Sequence, residues 1–207
     1  MKQIYLHGLG QNPDSWSKVI EQLETAEHSV CPDLSELVQG QDMTYQNLYA
    51  AFSAMCDEIE EDLCLCGLSL GGVLALNYAI EHPGKIKVLV LIATQYKMPK
   101  ILLKAQNTIF RFVPKSMFQQ MGVGKSDFLK LCNTMMELDF SDSIYKVSCP
   151  TLVIYGEKDR ANKNASIELA NMLIDAELQV FNGAGHEINI EAPDKLVETL
   201  RVFFGRG

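Results

Sequence analysis

The sequence predicts an α/β fold in which helices flank a mostly parallel sheet of about six strands. Short β-like runs alternate with segments of helical length along the chain, and this alternation is typical of parallel strands joined by crossover helices. The run Lys87–Ala93 is almost continuously apolar, as expected for a strand that is buried on both faces of a sheet. The chain has 207 residues, of which 47% are hydrophobic, and we therefore assign residues 1–207 to a single domain.

The first half of the chain contains the first three predicted strands. They are Lys2–Leu6, His28–Cys31 and Leu63–Cys66, and the accompanying helices are Asp14–Glu24, Thr44–Glu60 and a segment that ends near Glu81. Pro32 ends the second strand, and His82-Pro83-Gly84 ends the third helix. We expect the short second strand at an edge of the sheet, where Pro32 would discourage pairing with another chain.

The second half of the chain contains the remaining predicted elements. The strands are Lys87–Ala93, Thr151–Tyr155 and Leu178–Phe181, and the helices are Ala165–Ile174 and Ala192–Phe204. In the last helix Leu196, Leu200 and Phe203 recur at helical spacing. This spacing predicts an amphipathic helix that packs one apolar side against the core.

Residues 95–141, called the insertion below, interrupt the alternation of strands and helices. The insertion is too long for an ordinary connection and has helical patterning of its own, so we expect a small helical lid. Between Gln95 and Lys130 it contains seven lysines and arginines against Asp127 alone, a local charge of +6 in a chain of net charge −8. Its apolar residues include Ile101, Leu102, Leu103, Ile109, Phe110, Phe112, Val113, Met117, Phe118 and Met121. The pattern fits an apolar cover whose basic side chains meet an anionic substrate or lipid surface, and it also fits a helical insertion with a solvated basic rim.

The charge and composition of the chain argue against several classes of function. A net charge of −8 disfavours nucleic-acid binding, which needs a basic face to neutralise phosphates. The segment Met1–His7 lacks a signal-peptide apolar stretch, and the apolar run Val88–Ala93 is far too short to span a bilayer, so we expect a cytoplasmic protein without stable membrane insertion. Cys64 and Cys66 alternate along one strand without a second ligand pair nearby. We therefore expect no metal, no cofactor and no disulfide.

The strongest local motif is Gly67-Leu68-Ser69-Leu70-Gly71, a G-x-S-x-G sequence between a predicted strand and a predicted helix. The turn must be very tight to present the serine at the carboxyl edge of the sheet, and Gly67 and Gly71 remove side chains that would clash across it. The helix that follows places unpaired backbone N–H groups beside the serine. These features predict Ser69 as a nucleophile.

A serine hydroxyl needs a base within hydrogen-bond reach to act as a nucleophile at neutral pH. Among the four histidines, His186 lies in the loop after the last strand, and the small residues before it let its imidazole reach inward. His7 lies close to the expected site, where we expect it to shape the first strand–turn segment. His28 and His82 are explained as a surface residue and a helix-terminal residue. The sequence therefore predicts His186 as the base.

The base needs a carboxylate to orient it, and the best candidates follow the strand that begins at Thr151. Asp159 is favoured, because it lies just past the carboxyl end of that strand, where ligands gather in such sheets, and Glu157 is the alternative. The strand before the insertion is followed by Thr94-Gln95-Tyr96, so no carboxylate occupies that position. Two further acids, better explained as capping and turn residues, are Asp139 and Asp142.

The candidate residues occur in the order Ser, Asp, His, with a G-x-S-x-G turn between strand and helix, and in this the sequence resembles the α/β-hydrolase family over almost the whole chain. Further segments resemble the oxyanion loop, the acid turn and the histidine loop of that family. They are His7-Gly8-Leu9-Gly10 with Trp16, Gly156-Glu157-Lys158-Asp159, and Gly185-His186 with Glu191-Ala192-Pro193. The chain departs from the family in lacking the strand hairpin that usually precedes the oxyanion strand, which implies a reduced sheet.

The resemblance implies an α/β-hydrolase fold with an oxyanion hole formed by the backbone N–H groups of Leu9 and Leu70. The residues expected to support this site are His7, Gly8, Gly67 and Gly71. The implied function is hydrolysis of a carboxylic ester of small to medium size through an acyl-enzyme, with a small-molecule acyl substrate. Thioester hydrolysis, C–C bond hydrolysis and acyl transfer use the same residues, and a non-catalytic ligand receptor on this fold is the alternative from another class.

Overall fold

The computed structural model describes residues 1–100 and 124–205, and within them six strands form one sheet. The strands are β1 (Lys2–Leu6), β2 (Ser29–Val30), β3 (Leu63–Leu68), β4 (Ile86–Ile92), β5 (Thr151–Gly156) and β6 (Ala176–Phe181). Every pairing is parallel, and the spatial order is β2-β1-β3-β4-β5-β6. The predicted fold class is confirmed.

Both edge strands differ from their predicted bounds. β2 is reduced to two residues, and it lies at an edge of the sheet, as predicted. β6, at the other edge, begins at Ala176 rather than at Leu178. Glu177, Leu178 and Val180 are exposed, so this strand lacks the continuous apolar run that marks a strand buried on both faces. The central strands can be predicted from the sequence because they are buried and therefore apolar. Edge strands are less buried, so their bounds are harder to predict.

The helices flank the sheet along the described chain. They are α1 (Ser17–Leu23), α2 (Tyr45–Asp57), α3 (Leu70–Glu81), α4 (Lys125–Met135), α5 (Lys163–Met172), α6 (Ile188–Glu191) and α7 (Pro193–Phe204). The predicted helix Asp14–Glu24 is divided into a 3-10 turn over Pro13–Trp16 and the helix α1. Thr44 caps α2 by accepting a hydrogen bond from the Asn47 N–H at 3.2 Å. No helix within residues 1–100 and 124–205 combines the length and the apolar content needed to cross a lipid bilayer.

The hydrophobic core is divided by the sheet into two clusters, because successive side chains of a strand point to opposite faces. Leu63 and Leu65 of β3 belong to one cluster, together with residues of α2 and α3. Cys64 and Cys66 belong to the other cluster, together with Trp16 and the apolar side of α7. The six cysteines of the chain all lie among the described residues, and each is a free thiol.

The described parts of the insertion are residues 95–100 and 124–141, and its two ends lie side by side. Residues 96–98 pair with residues 138–140 in antiparallel fashion through backbone hydrogen bonds of 3.0 and 2.9 Å, and we call this pairing the neck. Beyond the neck, α4 packs against α2, where the Tyr45 N–H donates to Thr134 Oγ1 at 2.9 Å.

Three lysines of the insertion pair with carboxylates of the same chain. The pairs are Lys97–Asp139 at 2.7 Å, Lys100–Glu137 at 2.5 Å and Lys130–Asp42 at 2.6 Å. These partners offset part of the local positive charge, although each exposed pair stabilises the fold by only about 0–1 kcal/mol. The basic residues Lys104, Arg111 and Lys115 and the predicted apolar cover, Ile101 to Met121, lie outside the described residues. The helical lid therefore stays a prediction.

Candidate active site

Ser69 lies in a turn with an unusual backbone conformation, between the end of β3 and the start of α3. Its φ and ψ angles are 52° and −111°, a region that residues other than glycine rarely adopt. Two backbone hydrogen bonds hold the turn. The Ser69 N–H donates to the Ile92 carbonyl at 2.8 Å, and the Ser69 carbonyl accepts from the Val73 N–H at 3.0 Å. A strained strand–helix turn of this kind exposes a serine hydroxyl at the top of the sheet.

Gly67 and Gly71 are required by close backbone contacts around this turn. A Cβ atom at Gly67 would lie 2.4 Å from the carbonyl group of Gly71, and a Cβ atom at Gly71 would lie 2.3 Å from the carbonyl oxygen of Leu6 in β1. Because non-bonded heavy atoms do not approach so closely, any larger residue would have to displace the backbone. The two glycines thus let the turn pack against its own helix and against the neighbouring strand.

The N-terminus of α3 supplies a backbone donor beside Ser69. Leu70 is the first residue of the helix, so its N–H has no acceptor within the helix, and the partial positive charge of the helix lies at the same point. Nearly all residues of α3 are buried, which fixes this N-terminus relative to the sheet. The position suits Leu70 as one donor to an oxyanion.

The residues after β1 form a second tight turn. The Gln11 N–H donates to the Gly8 carbonyl at 3.1 Å, and the Gly8 N–H donates to Gln11 Oε1 at 3.3 Å. Gly10 has a φ angle of 87°, in the left-handed region that favours glycine. These bonds close the turn around Leu9, whose N–H is the other donor expected from the sequence.

His7 is buried beside this turn, and both of its ring nitrogens are engaged. Nδ1 lies 2.9 Å from the Gly8 carbonyl oxygen, and Nε2 lies 3.1 Å from the backbone nitrogen of Leu34. Since a carbonyl only accepts and an N–H only donates, the ring is neutral with its proton on Nδ1. Burial lowers the pKa of His7, outweighing the hydrogen bond to Gly8 that raises it. His7 therefore ties the turn to the segment at Leu34 and has no ring nitrogen left to act as a base.

Asp159 and His186 are in direct contact at the carboxyl ends of β5 and β6. The distance from His186 Nδ1 to Asp159 Oδ2 is 2.7 Å. Asp159 is 7% exposed, whereas His186 is only half-buried. Burial raises the pKa of the Asp159 carboxyl, but hydrogen bonds from His186 and Asn162 outweigh that effect and hold the pKa below its usual value. Asp159 is therefore a carboxylate that contacts the imidazole at Nδ1.

Glu157, the alternative acid, is used elsewhere. Its Oε2 accepts a hydrogen bond from the Gly183 N–H at 2.8 Å in an exposed position. Because this bond stabilises the turn after β6, Glu157 acts on the backbone of the histidine loop, and Asp159 contacts the histidine itself.

The loop that carries His186 is held by its own acid. Glu191, in α6, accepts hydrogen bonds from the backbone N–H groups of Gly185 at 2.6 Å and Glu187 at 3.0 Å. These bonds lie on both sides of His186, so they fix the backbone from which the imidazole extends.

Sequence reasoning missed two amide side chains near the Asp159–His186 pair: Asn162 contacts the pair directly, and Gln95 contacts Asn162. Asn162 Nδ2 lies 2.9 Å from Asp159 Oδ2 and 3.1 Å from His186 Nδ1, and Gln95 Nε2 donates to Asn162 Oδ1 at 2.8 Å. The only signal for Asn162 was a polar residue three positions after the acid, at the start of a helix. Gln95 was noted in the sequence only as a position without a carboxylate.

A second pair of amides links the turn after β1 to the loop that carries His186. Gln11 Nε2 donates to Asn189 Oδ1 at 3.3 Å, and Asn189 Nδ2 donates back to Gln11 Oε1 at 3.1 Å. Gln11 also donates to Glu187 Oε1 at 3.0 Å. These residues are 176 and 178 positions apart, and no local sequence pattern indicates such a contact.

The remaining histidines lie away from this site. His28 is exposed at the end of a 3-10 turn, and the ring of His82 stacks on Tyr78 with centroids 4.2 Å apart. Within residues 1–100 and 124–205, no group of three or more His, Cys, Asp or Glu residues is arranged to hold a metal ion.

The candidate residues all follow the carboxyl ends of parallel strands. Ser69 follows β3, Asp159 follows β5 and His186 follows β6, and the turn that contains Leu9 follows β1. Because parallel strands end at the same edge of a sheet, these segments gather at one edge, which is where ligands bind in open α/β sheets. The arrangement combines a strained serine turn, an oriented imidazole and backbone donors, the components of acyl transfer.

Comparison with known proteins gives a consistent family and fold. A sequence model described as the alpha/beta hydrolase family matches residues 4–199. Lipase 3 of Moraxella sp. (strain TA144) is 24% identical and aligns with 97% of this chain and 76% of its own length. A pimeloyl-[acyl-carrier protein] methyl ester esterase of Aeromonas salmonicida is 25% identical over 98% of this chain and 94% of its own length.

Among solved structures, an enol-lactonase of Burkholderia xenovorans superposes with a TM-score of 0.81 at 19% identity, covering 99% of this chain and 91% of its own. A thermophilic esterase of Thermogutta terrifontis superposes with a TM-score of 0.76 at 18% identity, covering 100% of this chain and 90% of its own. At these identities the superpositions establish the fold.

Proposed function

The chain belongs to the alpha/beta hydrolase family, as the resemblance of its motifs predicts, and on this premise we propose that it is a serine hydrolase that cleaves a carboxylic ester of small to medium size. Ser69 is the nucleophile, His186 the base and Asp159 the acid that orients the base. The observation that carries the proposal is the 2.7 Å contact between His186 Nδ1 and Asp159 Oδ2. It uses Nδ1 for the carboxylate and leaves Nε2 to accept a proton from a serine hydroxyl.

Acylation begins when Ser69 Oγ attacks the ester carbonyl carbon while His186 Nε2 removes the hydroxyl proton. The imidazolium that forms is stabilised by Asp159 through its Nδ1–H bond. The carbonyl oxygen becomes an oxyanion that accepts hydrogen bonds from the N–H groups of Leu9 and Leu70. Removal of one such donor costs about 3–4 kcal/mol of transition-state stabilisation in a related type of site. The tetrahedral intermediate then collapses, and the departing alcohol takes the proton from Nε2.

Deacylation repeats these steps with water in place of the serine hydroxyl. His186 Nε2 takes a proton from water, the hydroxide attacks the acyl carbon, and the same two N–H groups stabilise the second oxyanion. Collapse of this intermediate releases the carboxylic acid and returns the proton to Ser69 Oγ. The cycle therefore needs one ester and one water and consumes no cofactor.

The names of the relatives support an ester as the substrate. Two are lipases, several are methyl ester esterases, and others are monoacylglycerol lipases, all of which act on carboxylic esters. Thioester hydrolysis, C–C bond hydrolysis and acyl transfer would use the same residues. A non-catalytic receptor is the alternative from another class, and the full set of serine turn, imidazole and carboxylate disfavours it.

Covalent labelling with a fluorophosphonate probe tests the nucleophile. We expect the wild-type protein to be labelled at Ser69 and to hydrolyse short p-nitrophenyl esters, because the probe reacts with activated serines. Ser69→Ala should lose labelling and lower kcat by about 10⁵- to 10⁶-fold while the far-UV spectrum is unchanged. Ser17→Ala, at an exposed serine of α1, is the matched control and should behave as wild type.

The outcomes separate the candidate functions. An unlabelled and inactive wild-type protein would support the receptor, and activity that persists in Ser69→Ala would exclude Ser69 as nucleophile. If the protein is a hydrolase, a panel of esters and acyl-CoA thioesters of graded acyl length distinguishes the substrate class. We expect kcat/KM to be higher for the ester at each matched acyl length.

A further inference from the structure

A chain of side-chain hydrogen bonds leads from the Asp159–His186 pair to the base of the insertion. Asn162 Nδ2 lies 3.0 and 2.9 Å from the two carboxylate oxygens of Asp159, and the Asn162 backbone N–H donates to Oδ1 at 3.3 Å. On its other side, Asn162 Oδ1 accepts from Gln95 Nε2 at 2.8 Å. Asn162 thus spans the distance between the carboxylate and Gln95.

The orientation of the Asn162 amide is determined by its partners. A carboxylate only accepts hydrogen bonds, so the NH₂ group of Asn162 must face Asp159. Gln95 Nε2 donates to Asn162 Oδ1 and also to the Ala161 carbonyl at 3.2 Å, so the Gln95 NH₂ group must face Asn162. If the Asn162 amide were reversed, two acceptors would meet at Asp159 and two donors would meet at Gln95.

The side chain of Asn162 does not perform the local task that its position would suggest. Asn162 is the N-cap residue of α5, where asparagine commonly accepts a hydrogen bond from a backbone N–H of the first turn. Its side chain makes no such capping bond and is directed to Asp159 instead. Asn162 and Asp159 are 9% and 7% exposed, so this contact is shielded from water.

Asn162 also limits how Asp159 can face the histidine. Nδ2 of Asn162 and Nδ1 of His186 both lie within 3 Å of Asp159 Oδ2, at 2.9 and 2.7 Å. The Asn162 backbone N–H donates to Oδ1 and its Nδ2 donates to Oδ2, so rotation of the carboxylate about its Cβ–Cγ bond would break both bonds. The plane of the carboxylate is therefore held with Oδ2 toward the imidazole.

We propose that Asn162, locked in orientation by Gln95, is a positioning residue that holds the Asp159 carboxylate against Nδ1 of His186. It acts through Asp159 and does not touch the substrate. This inference rests on the proposed function, because the position of the carboxylate affects turnover only if His186 is the base. Gln95 follows β4, where the sequence has no carboxylate. Through Asn162, its amide affects Asp159, the acid that follows β5.

The direct test is Asn162→Leu, which keeps the branched shape with the same number of non-hydrogen atoms and removes both side-chain donors. A hydrogen bond to a charged group corresponds to about a tenfold to hundredfold effect, so we expect kcat to fall about 30-fold with KM changed less than twofold. Loss of the donors also leaves more negative charge facing the imidazole. The acid limb of the kcat/KM profile against pH should therefore move to higher pH, a change that a purely structural role would not produce.

Gln95 provides a graded test in which Asn162 is unchanged. Gln95→Glu places an acceptor against Asn162 Oδ1 and favours the reversed amide, so we expect kcat to fall about tenfold or more. Gln95→Leu removes the hydrogen bond to Asn162 Oδ1 without favouring the reversed amide. We therefore expect a smaller decrease in kcat, of about two- to fivefold. Lys163→Ala, at the exposed residue next to Asn162, is the control and should leave kcat unchanged.

The outcomes distinguish this inference from the proposed function. If wild type is labelled at Ser69 but Asn162→Leu and Gln95→Glu keep wild-type kcat and pH profile, the positioning role is wrong and the hydrolase assignment stands. If Gln95→Glu and Gln95→Leu lose activity equally, the orientation of the Asn162 amide is not what matters, and this also contradicts the inference. If wild type is neither labelled nor active, the proposed function itself fails.

Discussion

The serine turn and the Asp159–His186 pair reach the same edge of the sheet by different physical means. The turn is defined by backbone, since a φ angle of 52° at Ser69, two backbone hydrogen bonds and two closely packed glycines determine where the hydroxyl lies. In the Asp159–His186 pair, side chains determine the geometry. Asp159 receives hydrogen bonds from His186 and Asn162, and Asn162 depends in turn on Gln95.

The difference shows how two parts of one site can fail separately. A change in the serine turn alters backbone packing between β1, β3 and α3, at the centre of the core, so it should affect folding. A change in the side-chain network alters the direction of a few hydrogen bonds in the loops after the strands, so it should affect turnover while the fold persists. The following variants test this separation.

Gly71→Ala is expected to have the largest effect, because it disturbs the backbone packing that defines the serine turn. The added Cβ would lie 2.3 Å from the carbonyl oxygen of Leu6, a backbone atom that cannot move aside without displacing β1. We expect a loss of about 4 kcal/mol or more in the free energy of unfolding, or no soluble protein, measured by chemical denaturation. Gly84→Ala is the matched control, since a Cβ there meets nothing within 4 Å. Similar stability of the two variants would contradict the packing argument.

Asp159→Asn should have the largest effect on turnover among variants that keep the fold. An amide in place of the carboxylate can donate to Nδ1 and so favour the tautomer with its proton on Nε2, which cannot act as a base. We expect kcat to fall about 10⁴-fold, with a melting temperature close to that of wild type. Steady-state kinetics and thermal denaturation of the same sample measure both. A variant that unfolds, or one that keeps its activity, would contradict the proposed difference between the serine turn and the Asp159–His186 pair.

His7→Gln should have the smallest effect, and it sharpens the comparison because His7 is a side chain that holds a backbone turn. Burial lowers the pKa of His7 from a value of about 6.5 in the unfolded chain. Between the folded and unfolded values the unfolded chain binds more protons, so the free energy of unfolding of wild type should decrease as the pH falls below about 6.5. The slope from one group is at most about 1.4 kcal/mol per pH unit.

The variant should lose this contribution to the slope and, at pH 8, should be about 1–2 kcal/mol less stable, because hydrogen bonds of the ring are lost. Urea denaturation between pH 5 and pH 8 measures both quantities. Identical slopes in the two proteins would show that folding does not lower the pKa of His7, and would contradict the buried, neutral ring.

The contrast also explains which parts of the site could be predicted from the sequence. The serine turn is encoded locally, since Gly67, Ser69 and Gly71 lie within five residues between a buried strand and a buried helix. Asp159 and His186 could be proposed because each follows a recognisable strand. Asn162 and Gln95 could not, because their contact depends on how the loops after β4 and β5 face each other, and spacing along the chain does not contain that information.

Contacts between distant parts of the chain also limit what a local charge count can predict. The insertion was interpreted from its local excess of lysine and arginine, but Lys130 pairs with Asp42, 88 positions away. A count of charges within a segment omits partners supplied by the rest of the fold. Edge strands were similarly difficult, since β6 includes exposed side chains and began two residues before the apolar run that predicted it.

The neck has a consequence for protein engineering. Since residues 96–98 and 138–140 are already paired, the polypeptide between them starts and ends at neighbouring points. Doubling the length of such a closed loop adds only about 0.6 kcal/mol of entropic penalty. Segments of other lengths could thus be grafted between the two halves of the neck. The graft should retain Gln95, which lies just outside the neck and contacts Asn162.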